Sequence, residues 1–375
     1  MRHLRALSVS VWTSLRGLSG SNARIPRMRL PFCAAAVGLL AVTTVGAQIP
    51  ASEHIVGVGN FIHAVNDVEE SIAFYRDALG MEVQAGANGA PPPSPRPFIA
   101  TPEILRLYDS VGGQYRTASA LVQGSPMRAE LIEFKDLERR AAKRSIQDPG
   151  AAALVLTVRD MDTVFTQLKF KGAKVVSETG APVTVVDERG PARTVLVQDP
   201  DGFFVKLVQR ETPPPTGAPA GNPIDVGFMV IVDDMDRTLN IFRDILGFKV
   251  TVDPQDHDDA RLSMMGVFTA FYRRATAIVP GTSFEVEFME IHGLDRRLVK
   301  SRPRDPGSAI LRLRVADIEK AIAALGKAGV TVVSTDGQPV TVAGAANSQR
   351  FAIAQTSDNF FVQLVQQTAT ATRSN

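Results

Sequence analysis

One chain of 375 residues carries the same helix-ending phrase twice, as SIAFYRDALG from Ser71 to Gly80 and as TLNIFRDILG from Thr238 to Gly247. An internal repeat constrains a fold more tightly than composition does, because each copy must form the same unit. From Tyr115 onward the first half aligns on the second without gaps at an offset of 157 residues. GAKVVSETGAPVTV from Gly172 meets GVTVVSTDGQPVTV from Gly329, LERRAAK meets LDRRLVK, and DPG at Asp148 meets DPG at Asp305. Earlier the offset is 167, and the proline-rich stretch around Pro91 to Pro97 accounts for the extra residues.

Each half divides again. An apolar strand, an aspartate, a helix and a glycine follow one another four times, with Asp67, Asp160, Asp234 and Asp317 placed as helix N-caps. Val68, Ile72, Tyr75 and Leu79 fall on one helical stripe, as do Met235, Leu239, Phe242 and Leu246. Runs of strand character follow each helix, among them RAELIEF, TVLVQDPDGFFVKLVQ, EVEFMEI and FAIAQTSDNFFVQLVQ. The unit is therefore βαβββ and the class α+β, with four modules forming two domains at residues 54–210 and 224–368. The stretch ETPPPTGAPAGNP, residues 211–223, reads as a linker, and 369–375 as a tail.

Charge divides the chain differently. All charge before Glu53 is positive, and six arginines precede the apolar run FCAAAVGLLAVTTVGA from Phe32 to Ala47. A basic start, a short apolar stretch and a small-residue ending read as a signal peptide over residues 1–47, with Met28 an alternative start. An uncleaved anchor and an organellar transit peptide are the competing readings. The expectation is an exported protein, periplasmic or extracellular, with no membrane attachment after cleavage. Beyond Ala47 there are 35 basic and 39 acidic residues, which argues against a nucleic-acid partner. The only cysteine, Cys33, lies within the leader, so the mature chain has neither disulfides nor a cysteine nucleophile.

The phrase SIAFYRDALG after its Asp cap, with DPDGFFVKL from Asp199 to Leu207, resembles the vicinal oxygen chelate superfamily of glyoxalase I, fosfomycin and bleomycin resistance proteins and extradiol dioxygenases. That resemblance implies two cups, each a sheet curled from two βαβββ modules, with metal ligands on the first and last strand of each module. The first-strand positions are Asn60, Ala153, Gly227 and Ile310; the last-strand positions are Glu130, Lys206, Glu287 and Gln363. A catalytic divalent metal normally takes about three protein ligands, and a divalent metal here would have Glu130 and Glu287 as its carboxylates. With the modules paired within each half, Glu130 is expected to form an ion pair with Lys206, and Glu287 a hydrogen bond with Gln363.

Tyr115 and Tyr272 are equivalent by the repeat and, by strand alternation, face the cups as stacking or hydrogen-bonding groups for a ligand. Arg193 and Arg350 are likewise equivalent and are candidates for an anionic ligand or for an exposed role. His63 falls on the strand face opposite Asn60 and reads as a structural or partly exposed histidine. The leading expectation is a small-molecule-binding protein with degenerate metal positions. The alternatives are a metal-dependent lyase, isomerase or dioxygenase, and a structural or interaction protein with filled cups. Four modules complete two cups within one chain, which is compatible with a monomer or a homodimer.

Overall fold

The computed structural model of the chain describes residues 54–84, 92–123, 125, 127–214, 216–218, 220–254, 257–343 and 347–367. The expected leader and tail lie outside the described residues. The first module comprises β1 (Ile55–Val65), α1 (Val68–Asp77), β2 (Glu82–Val83), α2 (Pro102–Leu107), β3 (Gln114–Leu121) and β4 (Arg128–Lys135). The second comprises β5 (Ala152–Thr157), α3 (Met161–Phe170), β6 (Lys174–Val175), β7 (Val183–Asp187), β8 (Gly190–Gln198) and β9 (Phe204–Arg210). In the third, β10 (Asp225–Val232) leads to α4 (Met235–Leu239), which continues as a π-helical turn at Asn240–Ile245. It closes with β11 (Lys249–Val252), α5 (Asp259–Met265), β12 (Phe271–Ile278) and β13 (Glu285–His292). The fourth comprises β14 (Ala309–Val315), α6 (Ile318–Lys327), β15 (Thr331–Val332), β16 (Val340–Val342), β17 (Gln349–Gln355) and β18 (Phe361–Gln367).

The local signals act as the sequence implies. Asp67 accepts hydrogen bonds from the Glu69 and Glu70 amides, Asp160 from Thr163, Asp234 from Arg237, and Asp317 from Glu319 and Lys320. Each cap satisfies N–H groups that the first helical turn leaves without a partner. Gly80 and Gly247 follow their helices at φ 72 and 74, where a side chain would be strained.

Module pairing is the feature that the repeat leaves open. β1 pairs antiparallel with β14, and β10 pairs antiparallel with β5. One nine-stranded sheet therefore joins the first and fourth modules, and the other joins the second and third. The cups cut across the halves of the sequence. The segments after β4 and β13 cross to accomplish this: Asp148 accepts from the Arg297 amide at 2.8 Å and Asp305 from the Arg140 amide at 3.0 Å. Arg139 and Arg296 reach back to the carbonyls of Val65 and Val232.

Gly150 sits in this crossing at φ 78, and a Cβ there would lie 2.2 Å from the Asp358 carbonyl oxygen. Gly150→Ala is expected to destabilise the fold by at least about 2 kcal/mol, from left-handed strain plus displaced backbone. Urea unfolding against wild type measures the loss.

Alternation assigns the two faces of each sheet. One apolar cluster collects helix-facing residues of all four modules, including Phe61, Tyr75, Leu156, Phe228, Phe242, Phe288 and Leu313. Two smaller clusters lie in the cups, where α2 and α5 insert. Leu105, Leu107 and Tyr108 from α2 and its C-terminal end pack on Ile62, Phe134 and Phe361. Leu262, Met264 and Met265 of α5 pack on Met229, Phe204 and Met289.

Candidate functional site

The swapped pairing redistributes the candidate residues. Glu130 and Lys206 belong to different sheets, so the expected ion pair between them does not form, and Glu287 does not meet Gln363. Cup 1, from the first and fourth modules, collects Asn60, Glu130, Gln363 and Tyr115. Cup 2, from the second and third, collects Lys206, Glu287 and Tyr272. Each cup holds one carboxylate at the ligand positions that the resemblance implies, Glu130 in cup 1 and Glu287 in cup 2.

In cup 1, Glu130 accepts from Asn60 Nδ2 at 3.0 Å and faces Arg312 Nη1 at 3.1 Å. Arg312 Nε also donates to Gln363 Oε1, and the guanidinium lies 5.6 Å from the Phe351 ring centroid. The three oxygen-bearing side chains that could have approached a metal are thus gathered around a guanidinium. Glu130 and Gln363 already have a cationic partner while Asn60 donates to Glu130, and a divalent ion there would meet a like charge. Arg312 is two residues beyond Ile310 in LRLRV, so strand alternation did signal its direction. Tyr115 donates to Thr101 Oγ1 at 3.0 Å, closing the N-cap of α2. Burial, with the nearby Glu130 carboxylate, raises the Tyr108 phenol well above its ordinary range and keeps it neutral.

Cup 2 is more highly charged. Lys206 Nζ lies 2.6 Å from Glu287 Oε2, while Arg261 Nη1 and Arg274 Nη1 lie 3.3 and 3.8 Å from Glu287 Oε1. Burial alone would raise the Glu287 pKa, but three cations hold it at about 2. The Lys206 pKa is lowered, first by burial and then by the two guanidiniums, against the opposing pull of Glu287. Arg261 reaches the cup from α5 and stacks near Tyr272, donating to its hydroxyl at 3.2 Å. Arg274 is further neutralised by Asp253 and Glu188, each at 2.9 Å. A cavity of about 100 Å3 opens over this cluster, walled by Val155, Ala192, Thr194 and Met264. Arg274 shares the parity of Tyr272 in YRRATAIV and was legible; Arg261 sits on a helix whose insertion only the fold decides.

Arg193 and Arg350 lie outside the cups. Arg193 Nη2 pairs with Asp162 at 2.7 Å and Arg350 with Glu319, each joining the final hairpin of its module to the first turn of α3 or α6. Their equivalence is structural.

A third ionisable cluster lies on the helix side. His63, fully buried, places Nε2 at 3.0 Å from Asp199 Oδ2 and Nδ1 at 3.2 Å from the Ser308 carbonyl. Both neighbours are acceptors, surroundings that suit an imidazolium with a proton on each ring nitrogen, though the Nε2 contact with Asp199 lacks hydrogen-bond geometry. Burial works to lower its pKa, yet the Asp199 carboxylate, with Asp201 and the Ser308 carbonyl, raises it above the ordinary 6.5. Asp199 also accepts from the Tyr75 hydroxyl and from the amides of Asp201 and Phe203. Asp201 accepts from the Asn66 amide and the Ser71 hydroxyl. His63, Asp199 and Asp201 have ligand-type atoms close enough to one another for a metal, which would have to displace the ring proton and share carboxylates that already accept from Tyr75, Ser71 and backbone amides.

The profile of the Glyoxalase/Bleomycin resistance protein/Dioxygenase superfamily matches residues 54–207 and 226–351. The chain belongs to that superfamily. No curated protein matches it. Among solved structures, glyoxalase I from Zea mays is similar at 16% identity and TM-score 0.52, covering 82% of this chain and 92% of that one. A variant of the maize enzyme gives 18% identity and TM-score 0.53 over 82% and 93%. At these identities the likeness establishes the fold, and the chemistry must be read from the site.

Proposed function

We propose that this protein is an exported, metal-independent member of the superfamily that binds a small molecule in cup 2. The observation that carries the reading is the cation at the heart of each cup: Arg312 against Glu130, and Lys206 with Arg261 and Arg274 against Glu287. Fixed cations at the converging ligand positions supply positive charge without a dissociable ion. Cup 2 joins that charge to a polar cavity, the combination expected of a recognition site. Cup 1, packed by α2 and its aromatic neighbours, favours a second role for the first and fourth modules, as filled scaffold.

Plasma mass spectrometry on protein incubated with Zn, Ni, Mn and Fe(II) is expected to find far less than one equivalent bound. A thermal-shift screen of small metabolites is expected to yield compounds that raise Tm in wild type but not in Ala192→Trp, which fills the cavity. Near-stoichiometric metal lost in Glu130→Ala or Glu287→Ala would overturn the proposal in favour of a metal-dependent enzyme.

A further inference from the structure

The recess of cup 2 continues beyond its charged floor. Thr157, Arg189, Arg210 and Asp225 line both the inner cavity and a second one of about 490 Å3. Pro213, Pro214 and Ala218 of the linker, with Val158 and Ile224, form walls of the outer chamber. Four shared residues set the two side by side, the inner one narrow and charged, the outer one wider, with prolines and aliphatic groups beside Arg159, Thr212 and Thr216. The inner chamber has room for a head group only, whereas the combined space reaches the range of ~300–1,000 Å3 typical of small-molecule sites.

The charges are unevenly matched along this recess. At the junction, Arg210 makes a two-pronged pair with Asp187 at 2.9 and 2.6 Å, and Arg189 meets Glu285 at 3.0 Å. At the floor, one carboxylate serves three cations. Arg274 has Asp253 and Glu188 besides, but Arg261 has only Asp258 at 3.9 Å as a second carboxylate. Among the described residues, Glu287 is the one carboxylate that forms an ion pair with Lys206. A second anion entering the chamber would find Lys206 and Arg261 buried and sharing Glu287 as their one close carboxylate, where charge-assisted hydrogen bonds are strong.

We propose that the ligand is an elongated amphipathic molecule with one anionic end. Its carboxylate or phosphate lies against Lys206 and Arg261, and its apolar body occupies the outer chamber beneath the linker. This rests on cup 2 being the binding site and adds the chemical class. It also gives the proline-rich connection a function, because semi-rigid prolines hold a wall in place at little entropic cost.

Octanoate, octyl phosphate and 1-octanol, titrated calorimetrically into the full chain, test it. At least one anionic probe is expected to bind about tenfold or more tightly than octanol, the size of a lost charged hydrogen bond. Which of the two binds better identifies the head group. The preference should vanish in Arg261→Gln and in Lys206→Met, each checked for folding by circular dichroism, and persist in Arg193→Gln. Pro213→Gly with Pro214→Gly should weaken the anionic probes severalfold. Equal binding of octanol and the anions, abolished by Ala192→Trp, would overturn the anionic head while leaving cup 2 as the site. Anion binding indifferent to the linker substitutions would overturn the placement of the apolar body. Absence of binding by all three probes would overturn the inference; if screened metabolites still raised Tm in wild type and not in Ala192→Trp, the broader reading would stand.

Discussion

Replacing Glu287 with alanine is expected to destabilise the fold by about 3–5 kcal/mol, the effect of stranding buried charges whose shared partner is gone. Lys206, Arg261 and Arg274 would then face one another without that partner in a cup where the lysine and the carboxylate are each about 6% exposed. Lys206→Met should be milder, at about 1–3 kcal/mol, because Glu287 keeps both guanidiniums. Glu130→Ala should also be milder, since the Glu130 and Arg312 side chains are 21% and 17% exposed and water can take up part of the loss. Urea unfolding at neutral pH gives the ranking. A Glu287 loss no larger than that of Glu130 would mean that cup 2 is wetter than its geometry implies.

The pH dependence of the same pair has a definite sign. Glu287 is held at about 2 in the folded protein, below the ordinary 4.5. Its contribution is therefore present above 4.5 and is lost as pH falls through about 2, because the unfolded chain binds the proton first. Wild type should lose stability across that window faster than Glu287→Ala does.

A second large effect is expected at His63. The repeat supplies its own control, since the equivalents of His63, Tyr75 and Asp199 are Val230, Phe242 and Thr356. One copy of the interface is thus ionic and hydrogen-bonded, and the other apolar. Asp199→Thr alone should cost about 3–5 kcal/mol by forcing the buried ring to give up its proton and by taking the acceptor from the Tyr75 hydroxyl and the Asp201 and Phe203 amides. The triple substitution His63→Val, Tyr75→Phe, Asp199→Thr should recover most of that, as buried pairs often exchange for apolar groups with little net loss.

Because the His63 pKa is raised above 6.5 by folding, its stabilisation is complete below the unfolded value and is lost as pH rises through the folded one. Wild type should weaken over that range and the triple variant should not. Denaturant midpoints measured from pH 6 upward decide it; parallel curves would show that the ring is neutral in the folded protein.

The sequence by itself determined the modules. The caps at Asp67, Asp160, Asp234 and Asp317, the helical stripes and the strand alternation act over a few residues, so they can be read without knowing what lies across the sheet. The same alternation placed Tyr115, Tyr272, Glu130 and Glu287 on the cup face and His63 on the other. Tertiary structure decided which modules meet. Four near-equivalent units present the same apolar pattern along their first strands, so pairing the first with the second or with the fourth satisfies the sequence equally well. The crossing segments, fixed through Asp148, Asp305 and the close approach at Gly150, select the second arrangement. With that choice the charges found their partners: Glu130 took Arg312, Lys206 took Glu287, and Arg261 entered from α5, because ion pairing depends on distance across the fold and leaves no periodic trace along the chain.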